Sequence, residues 1–264
     1  THRWSLLAFC MLGVTILSTT FVQKIVLTSY ADSTTSVTLA VIAVLMWQIF
    51  NKLAATPRSE EIANEINAES CALAWQCGLV IAVFIFLKQT NLVLLVLLFI
   101  GFLMVVLRDP TLRLIDFFRL APNLLLPGIV VYLAWRYHVS QHLSYGEVSW
   151  KPYEHWILSE AFDVLAKMSS IALKKASFFI VMIAISGFAL RGFIKAIGPT
   201  ERLLIPVAVV FLGFNFFLWM IYIAAFGRAD GLRAASFWRY NIQLGLLGIT
   251  GAAYGLAVIW RRYI

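Results

Sequence analysis

Residues 83–102 read VFIFLKQTNLVLLVLLFIGF, two long apolar runs separated by the short polar stretch Lys88-Gln89-Thr90-Asn91. A helix needs about 20 consecutive apolar residues to cross the hydrocarbon core of a bilayer. The polar stretch is too short to form anything but a tight turn. The sequence therefore predicts a hairpin of two membrane-spanning helices, with its polar tip at one membrane surface.

The rest of the chain has the same composition. Of its 264 residues, 61% are hydrophobic and 13% are charged, and the mean hydropathy is +0.86. A soluble domain of this size cannot keep so much apolar surface away from water, so we expect an all-α, polytopic integral membrane protein. The net charge of +8 comes largely from basic residues at the ends of apolar runs. That placement sets membrane orientation and argues against nucleic-acid binding.

About eight apolar runs are long enough to be spans, and together they predict a single transmembrane domain over residues 1–264. The run at 120–135 is short and contains Pro122 and Pro127, which predicts a broken or partly re-entrant helix. One long loop, 136–174, follows it, and its second half has the spacing of an amphipathic helix in the membrane interface. The predicted spans are 4–22, 33–50, 71–87, 91–107, 120–135, 176–194, 203–226 and 241–260.

The distribution of basic residues predicts the orientation. Lysine and arginine are more frequent in the short loops on the side that carries both termini, so we expect both termini in the cytoplasm. We expect the membrane to be a bacterial inner (plasma) membrane. Residues 227–240 then lie on the outer face, where few arginines are expected, yet Arg228, Arg233 and Arg239 are there. Guanidinium groups bind phosphate through paired hydrogen bonds, so this cluster predicts a phosphate site, with ordinary anionic headgroups as the alternative.

Three polar residues at the same membrane face are further candidates. Asp32, in SYADSTTS, begins the second predicted span. It serves either as a helix N-cap or as a carboxylate that acts as a base or metal ligand. Lys88 and Gln89 occupy the hairpin tip, where they could hold a phosphate or a hydroxyl group. The alternative for Lys88 is that its side chain reaches to the headgroups while its stem stays in the apolar region.

The long loop contributes histidines and aromatic residues. His138 and His142 are four residues apart and could share a helix face toward a metal ion. The loop has no recognisable metal motif such as HExxH, so side chains that line the interface are the favoured interpretation. Trp150 can pack at the headgroup level or against a sugar ring. The cofactor requirement stays open, because a divalent metal is possible but no motif indicates one.

Three segments resemble polytopic glycosyltransferases of the GT-C type. They are the helix–KQT–helix hairpin at 83–102, the span SYADSTTSVTLAVIAVLMW at 29–47, and ADGLRAASFWRYNIQLGLL at 229–247. The resemblance implies transfer of a sugar from a polyprenyl-phosphate carrier to an acceptor at the outer face. The other expected partner is membrane lipid. It implies Asp32 as the catalytic carboxylate. The implied phosphate ligands are Lys88, Arg228, Arg233 and Arg239, and the substrate-binding candidates are Gln89, His138, His142 and Trp150.

Two other functions remain open. The family typically has a pair of acidic residues in its first outer loop, whereas the corresponding stretch here holds only Asp32. This departure favours a non-catalytic membrane subunit that works with membrane protein partners. Pro122, Pro127 and Pro206 interrupt apolar runs as they do in transporters, so transport of a lipid-linked substrate is the third hypothesis.

Overall fold

The computed structural model describes residues 31–55, 68–142, 150–195 and 197–263, and within these ranges it contains helices and no strands. The all-α prediction is confirmed for this part of the chain. Two short 3₁₀ helices, Tyr153–His155 and Leu158–Glu160, precede the fifth α-helix. The α-helices are α1 (Asp32–Ala55), α2 (Ala68–Leu87), α3 (Asn91–Arg108), α4 (Leu114–His142), α5 (Ala161–Lys174), α6 (Ala176–Ile194), α7 (Pro199–Ala224), α8 (Arg228–Arg233), α9 (Phe237–Ile242) and α10 (Gly245–Tyr263).

Five of these helices, α1 to α4 and α7, are long and apolar enough to cross a membrane. A sixth candidate is a bent pair, since the helical segments 158–174 and 176–192 meet at 104°. Helix α10 is apolar but shorter over Gly245–Trp260. These helices are the architecture of a polytopic membrane protein. The predicted span 4–22 lies outside the described residues, so the count of eight stays a prediction.

Helix α4 corrects the prediction of a short, broken span, because it continues for 29 residues through Pro122 and Pro127. Pro127 has no N–H to donate to the carbonyl of Asn123, four residues earlier. That carbonyl faces the Cα of Gly78 on α2, and a side chain at Gly78 would collide with it. The carbonyl that Pro127 leaves without its usual donor therefore lies against α2. The small residue Gly78 allows the two backbones to approach closely there.

The predicted long loop 136–174 also needs correction. Its first seven residues are the last turns of α4, and its last fourteen form α5. The amphipathic helix predicted at 158–174 is confirmed, with its first three residues in a 3₁₀ turn. Residues 143–149 lie outside the described part of the chain. A helix extends past His138 because no proline or glycine interrupts it there.

Helix α1 is the centre of the bundle and contacts α2, α7 and α10. On one side of α1, α2 packs against α4. On the other side, α7 packs against both α3 and α6. Helices α3 and α7 approach so closely that a Cβ added at Gly101 would lie 2.5 Å from the Cα of Pro206. The core between the helices is filled by apolar side chains that include Leu39, Ile42, Met46, Phe84 and Phe102.

The two ends of the bundle hold different polar clusters, and we name each end after its carboxylate. At the Asp109 end, the guanidinium of Arg202 on α7 donates to Asp109 at 2.7 Å, to Asn51 at 2.9 Å and to Thr111 at 2.9 Å. These contacts join α7 to the ends of α1 and α3. Every nitrogen of the guanidinium has a partner, so this buried cluster is structural.

Candidate functional site

The Asp32 end brings together four polar side chains, which we call the Asp32 cluster: Asp32, Lys88, Arg239 and Gln243. The amide of Gln243 donates to Oδ1 of Asp32 at 2.6 Å, and Lys88 Nζ lies 3.4 Å from the same oxygen. Nε of Arg239 lies 3.5 Å from Oδ2. The carboxylate at the start of α1 is thus shared by the α2–α3 turn, by α9 and by the residue that follows α9.

The chain reaches this geometry through an unusual backbone between α8 and α9. Ala234 has φ 47° and Ser236 has φ 61°, and both are left-handed conformations that side-chain-bearing residues rarely adopt. The hydroxyl of Tyr222 on α7 donates to the carbonyl of Ala235 at 2.6 Å and holds this reversal in place. The reversal starts α9 in the direction that carries Arg239 to Asp32. Strained backbone of this kind persists only where the surrounding structure enforces it.

Burial divides the cluster into an inner anion and outer cations. The Asp32 side chain is 9% exposed, whereas those of Lys88 and Arg239 are 30% and 38% exposed. Both cations lie over the ring of Tyr240, with Nζ of Lys88 at 5.7 Å and Cζ of Arg239 at 5.4 Å from its centroid. The cluster contains two cations and one carboxylate, and the cations are the more exposed groups. An anion that approaches from solvent meets the cations first.

A second layer of hydrogen bonds fixes the hairpin tip against α1. The fully buried Asn91 donates to the carbonyl of Phe84 at 2.8 Å and to the hydroxyl of Thr35 at 3.2 Å. The hydroxyl of Ser36 accepts from the backbone N–H of Leu246 at 3.0 Å and ties α10 to the same helix. These contacts hold Lys88 and Gln243 near Asp32.

Of the three arginines Arg228, Arg233 and Arg239, one, Arg239, belongs to the Asp32 cluster. Arg228 is 72% exposed and pairs instead with Glu160. Hydrogen bonding to Arg228 holds the pKa of the Glu160 carboxyl below its ordinary value. Arg233 is exposed at the end of α8. The structure therefore does not gather the three arginines into one site with Asp32, and phosphate binding by Arg228 and Arg233 stays a prediction.

The four substrate-binding candidates lie in three places. Gln89 is half-buried in the hairpin turn beside Lys88. His138 and His142 are exposed on the last turns of α4, with ring centroids 4.5 Å apart. Trp150 is 56% exposed and packs near Trp156. Within the described residues, no group of three or more His, Cys, Asp or Glu side chains could hold a metal ion.

Sequence reasoning named Asp32, Lys88 and Arg239 as candidates and missed Gln243, Tyr240 and Asn91. Gln243 gave no signal, because a single glutamine near the start of an apolar run is common. Tyr240 stands next to Arg239 in FWRY, and an aromatic residue beside an arginine is a signal for cation–π contact. Asn91 was visible as a polar residue at the hairpin tip. Its burial depends on the packing of α1, which the sequence does not show.

Residues 151–157 form a cap on α7 that the sequence did not reveal. The backbone N–H of Lys151 donates to the carbonyl of Ala224 at 3.1 Å, and its Nζ donates to the carbonyl of Phe226 at 2.7 Å. The N–H of Ile157 donates to the carbonyl of Ile223 at 3.2 Å. A lysine at the C-terminal end of a helix complements both the free carbonyls and the helix dipole.

No family model, curated protein or solved structure matches the chain. The functional argument therefore depends on the chemistry of the Asp32 cluster and on its place at one end of a bundle of apolar helices.

Proposed function

We propose that the Asp32 cluster binds the phosphate of a polyprenyl-phosphate-linked sugar and that the protein transfers this sugar to an acceptor hydroxyl. The observation that carries the proposal is the contact of one nearly buried carboxylate with two partly exposed cations. This cluster lies at the end of long apolar helices, where the headgroup of a membrane lipid would be found. The sugar carrier is such a lipid.

Lys88 and Arg239 are suited to the phosphate. Charge-assisted hydrogen bonds from ammonium and guanidinium groups to phosphate are among the stronger polar contacts in proteins. The incoming phosphate would join the single carboxylate that both cations already contact. Both cations also lie over the ring of Tyr240.

Asp32 is suited to accept a proton. In the proposed step, Asp32 takes the proton of the acceptor hydroxyl as the acceptor oxygen forms a bond to the anomeric carbon of the sugar. The bond from that carbon to the phosphate oxygen breaks, and its electron pair leaves with the polyprenyl phosphate. Lys88 and Arg239 stabilise the charge on the leaving phosphate.

The proposed orientation places the Asp32 end on the outer face of a bacterial inner membrane, with both termini in the cytoplasm. It is supported by the excess of basic residues on the opposite side. Cysteine substitutions at exposed Gln141 and exposed Arg113 would test it in intact cells with a membrane-impermeant maleimide. Labelling at position 141 alone is expected, and labelling at position 113 alone would reverse the assignment.

The experiment that tests the proposed function compares wild type with Asp32→Asn. Purified protein would be given a radiolabelled polyprenyl-phosphate sugar, and its binding and its transfer to acceptors would be measured separately. Asparagine keeps an oxygen that can accept from Gln243 but cannot take a proton at neutral pH, so binding should survive while transfer is lost.

The matched control is Glu160→Gln, which removes a carboxylate that pairs with Arg228 on α8 rather than with the cluster. It should leave both binding and transfer unchanged. Transfer by Asp32→Asn at the wild-type rate would contradict the role of Asp32 as a base. Saturable binding by wild type without transfer to any acceptor would favour a binding subunit.

A further inference from the structure

A second site lies on the opposite side of the α2–α3 hairpin. An apolar groove of about 450 Å³ runs between α2, α3 and α4, and we call it the α3–α4 groove. It exists because α4 packs extensively on α2 and only sparsely on α3. Gly128 on α4 widens it, since a Cβ there would lie 2.9 Å from the side chain of Ile85. The groove is lined wholly by hydrophobic residues and glycine, apart from the amphipathic Tyr132.

The groove has the length of one leaflet of a bilayer. Its lining on α3 extends from Leu92, one turn below the hairpin tip, to Leu103. Eleven helical steps span about 16 Å. One leaflet contributes about 15 Å to a hydrocarbon core of about 30 Å. Tyr132 lines the groove on α4 and can place its hydroxyl toward the headgroups, as tyrosines do at membrane interfaces.

The groove is accessible from the side that faces away from the bundle. Val96 and Ile100 on α3 line the groove and are also 56% and 43% exposed, so the groove is open along its side.

We infer that the α3–α4 groove holds an acyl chain of a membrane phospholipid, which completes the packing of α4 onto the bundle. The contacts of Lys88 run to Asp32 on α1 and to Tyr240 on α9, whereas the groove is formed by α2, α3 and α4 alone. The groove is therefore separate from the proposed sugar-carrier site. Its length matches an acyl chain, and a polyprenyl chain is several times longer.

Lipid retention tests the inference directly. The protein would be purified in detergent, and co-purified phospholipid would be quantified by mass spectrometry for wild type, Val96→Trp and Val83→Trp. Tryptophan at position 96 fills the groove. Val83 on α2 is 51% exposed and does not line the groove, so it is the matched control. Retained phospholipid should fall roughly tenfold in Val96→Trp, a loss of about 1.4 kcal/mol, and stay unchanged in Val83→Trp.

A second measurement uses the unmodified protein and so does not depend on folding of a variant. A phospholipid with a photoactivatable acyl chain should label residues that line the groove, such as Leu92 and Ile129, more than the exposed Leu79. Uniform labelling of all exposed apolar residues would overturn the inference. Equal retention of phospholipid in Val96→Trp and wild type, or a second copy of the chain in the groove, would overturn it too. None of these outcomes bears on Asp32 or its cations, so the proposed function is tested separately.

Discussion

Asp32 accepts contacts from three groups that belong to other parts of the chain, and Gln243 is 211 positions away. A carboxylate in this position contributes to stability, because it contacts two neighbouring cations. Removing it would leave Lys88 and Arg239 without that negative partner. The residue is therefore expected to affect stability even where no substrate is present.

We expect Asp32→Ala to lower the free energy of unfolding by about 1–2 kcal/mol. The loss is small because both cations are partly exposed, so solvent screens their attraction to the carboxylate. Thermal unfolding in detergent would measure the loss. Asp163, which is exposed on α5, gives the control Asp163→Ala, and this variant should unfold as wild type does. Equal unfolding temperatures for all three proteins would show that the contacts of Asp32 contribute nothing to stability.

The Asp109 end makes a prediction about pH. Burial opposes ionisation of Asp109, but hydrogen bonds from Thr111 and Arg202 outweigh it and hold the pKa of the carboxyl below its ordinary value. A carboxyl whose pKa is lower in the folded protein stabilises it above the unfolded pKa, which is about 3.9. Stability from this group should be constant near neutral pH and should fall as pH drops below about 4. Acid unfolding of wild type and Asp109→Asn would measure it, and an identical pH dependence in both would refute it.

A candidate residue could be predicted from the sequence only where its own type and position indicated a role. Asp32 at a helix start and Lys88 at a hairpin tip are visible as isolated polar residues between apolar runs. The pairing of Arg228 with Glu160, rather than with the site, depends on where α5 and α8 lie. No spacing along the chain encodes that contact.

At the scale of elements, two helical glycines have opposite surroundings, and only one of them lies in a close helix contact. A Cβ at Gly78 would collide with the backbone carbonyl of Asn123, whereas one at Gly187 on α6 would meet nothing within 4 Å. We expect Gly78→Ala to push α4 away from α2 and to cost about 1–3 kcal/mol. Gly187→Ala should be neutral or stabilising by about 0.5–1 kcal/mol, because alanine is the better helix former. Denaturation of the two variants would compare them, and equal stability would contradict the close α2–α4 contact.

Helix α5 presents three different faces. Its buried face includes Val164 and Met168, and its charged face includes Lys167. Phe162 and Leu173 lie on a third face and are 81% and 76% exposed. An exposed apolar face beside a charged face is what we expect of a helix in the membrane interface. Spin labels at 162 and 173 should be accessible to oxygen, and a label at 167 to a water-soluble nickel chelate. Equal nickel accessibility at all three positions would place the helix in water.

The helices themselves were largely predictable, because long apolar runs and the KQTN turn dominate the sequence. Helix α4 was the exception. The effect of Pro127 was judged from its own helix, while the group that accommodates it, Gly78, is on another. A rule that considers only the proline's own helix fails where a neighbouring helix packs against the carbonyl that the proline leaves without a donor.

At the scale of the whole molecule, the described helices form an apolar bundle with a polar cluster at each end. The first joins α1, α3 and α7 through Arg202, and the second exposes Lys88 and Arg239. The order of helices in the bundle decides which residues meet at each end. That order comes from side-chain packing and could not be read from hydropathy.

The most direct test of the central claim is binding of a radiolabelled polyprenyl-phosphate sugar to purified protein. The Asp32 cluster predicts that Lys88→Ala combined with Arg239→Ala weakens saturable binding by roughly 100-fold, since each charged hydrogen bond contributes about 1.5–3 kcal/mol. Arg228→Ala combined with Arg233→Ala removes the same charge from outside the cluster and should leave the affinity nearly unchanged. Equal affinity in the two double variants, or a larger loss in the second, would contradict the assignment of phosphate binding to the Asp32 cluster.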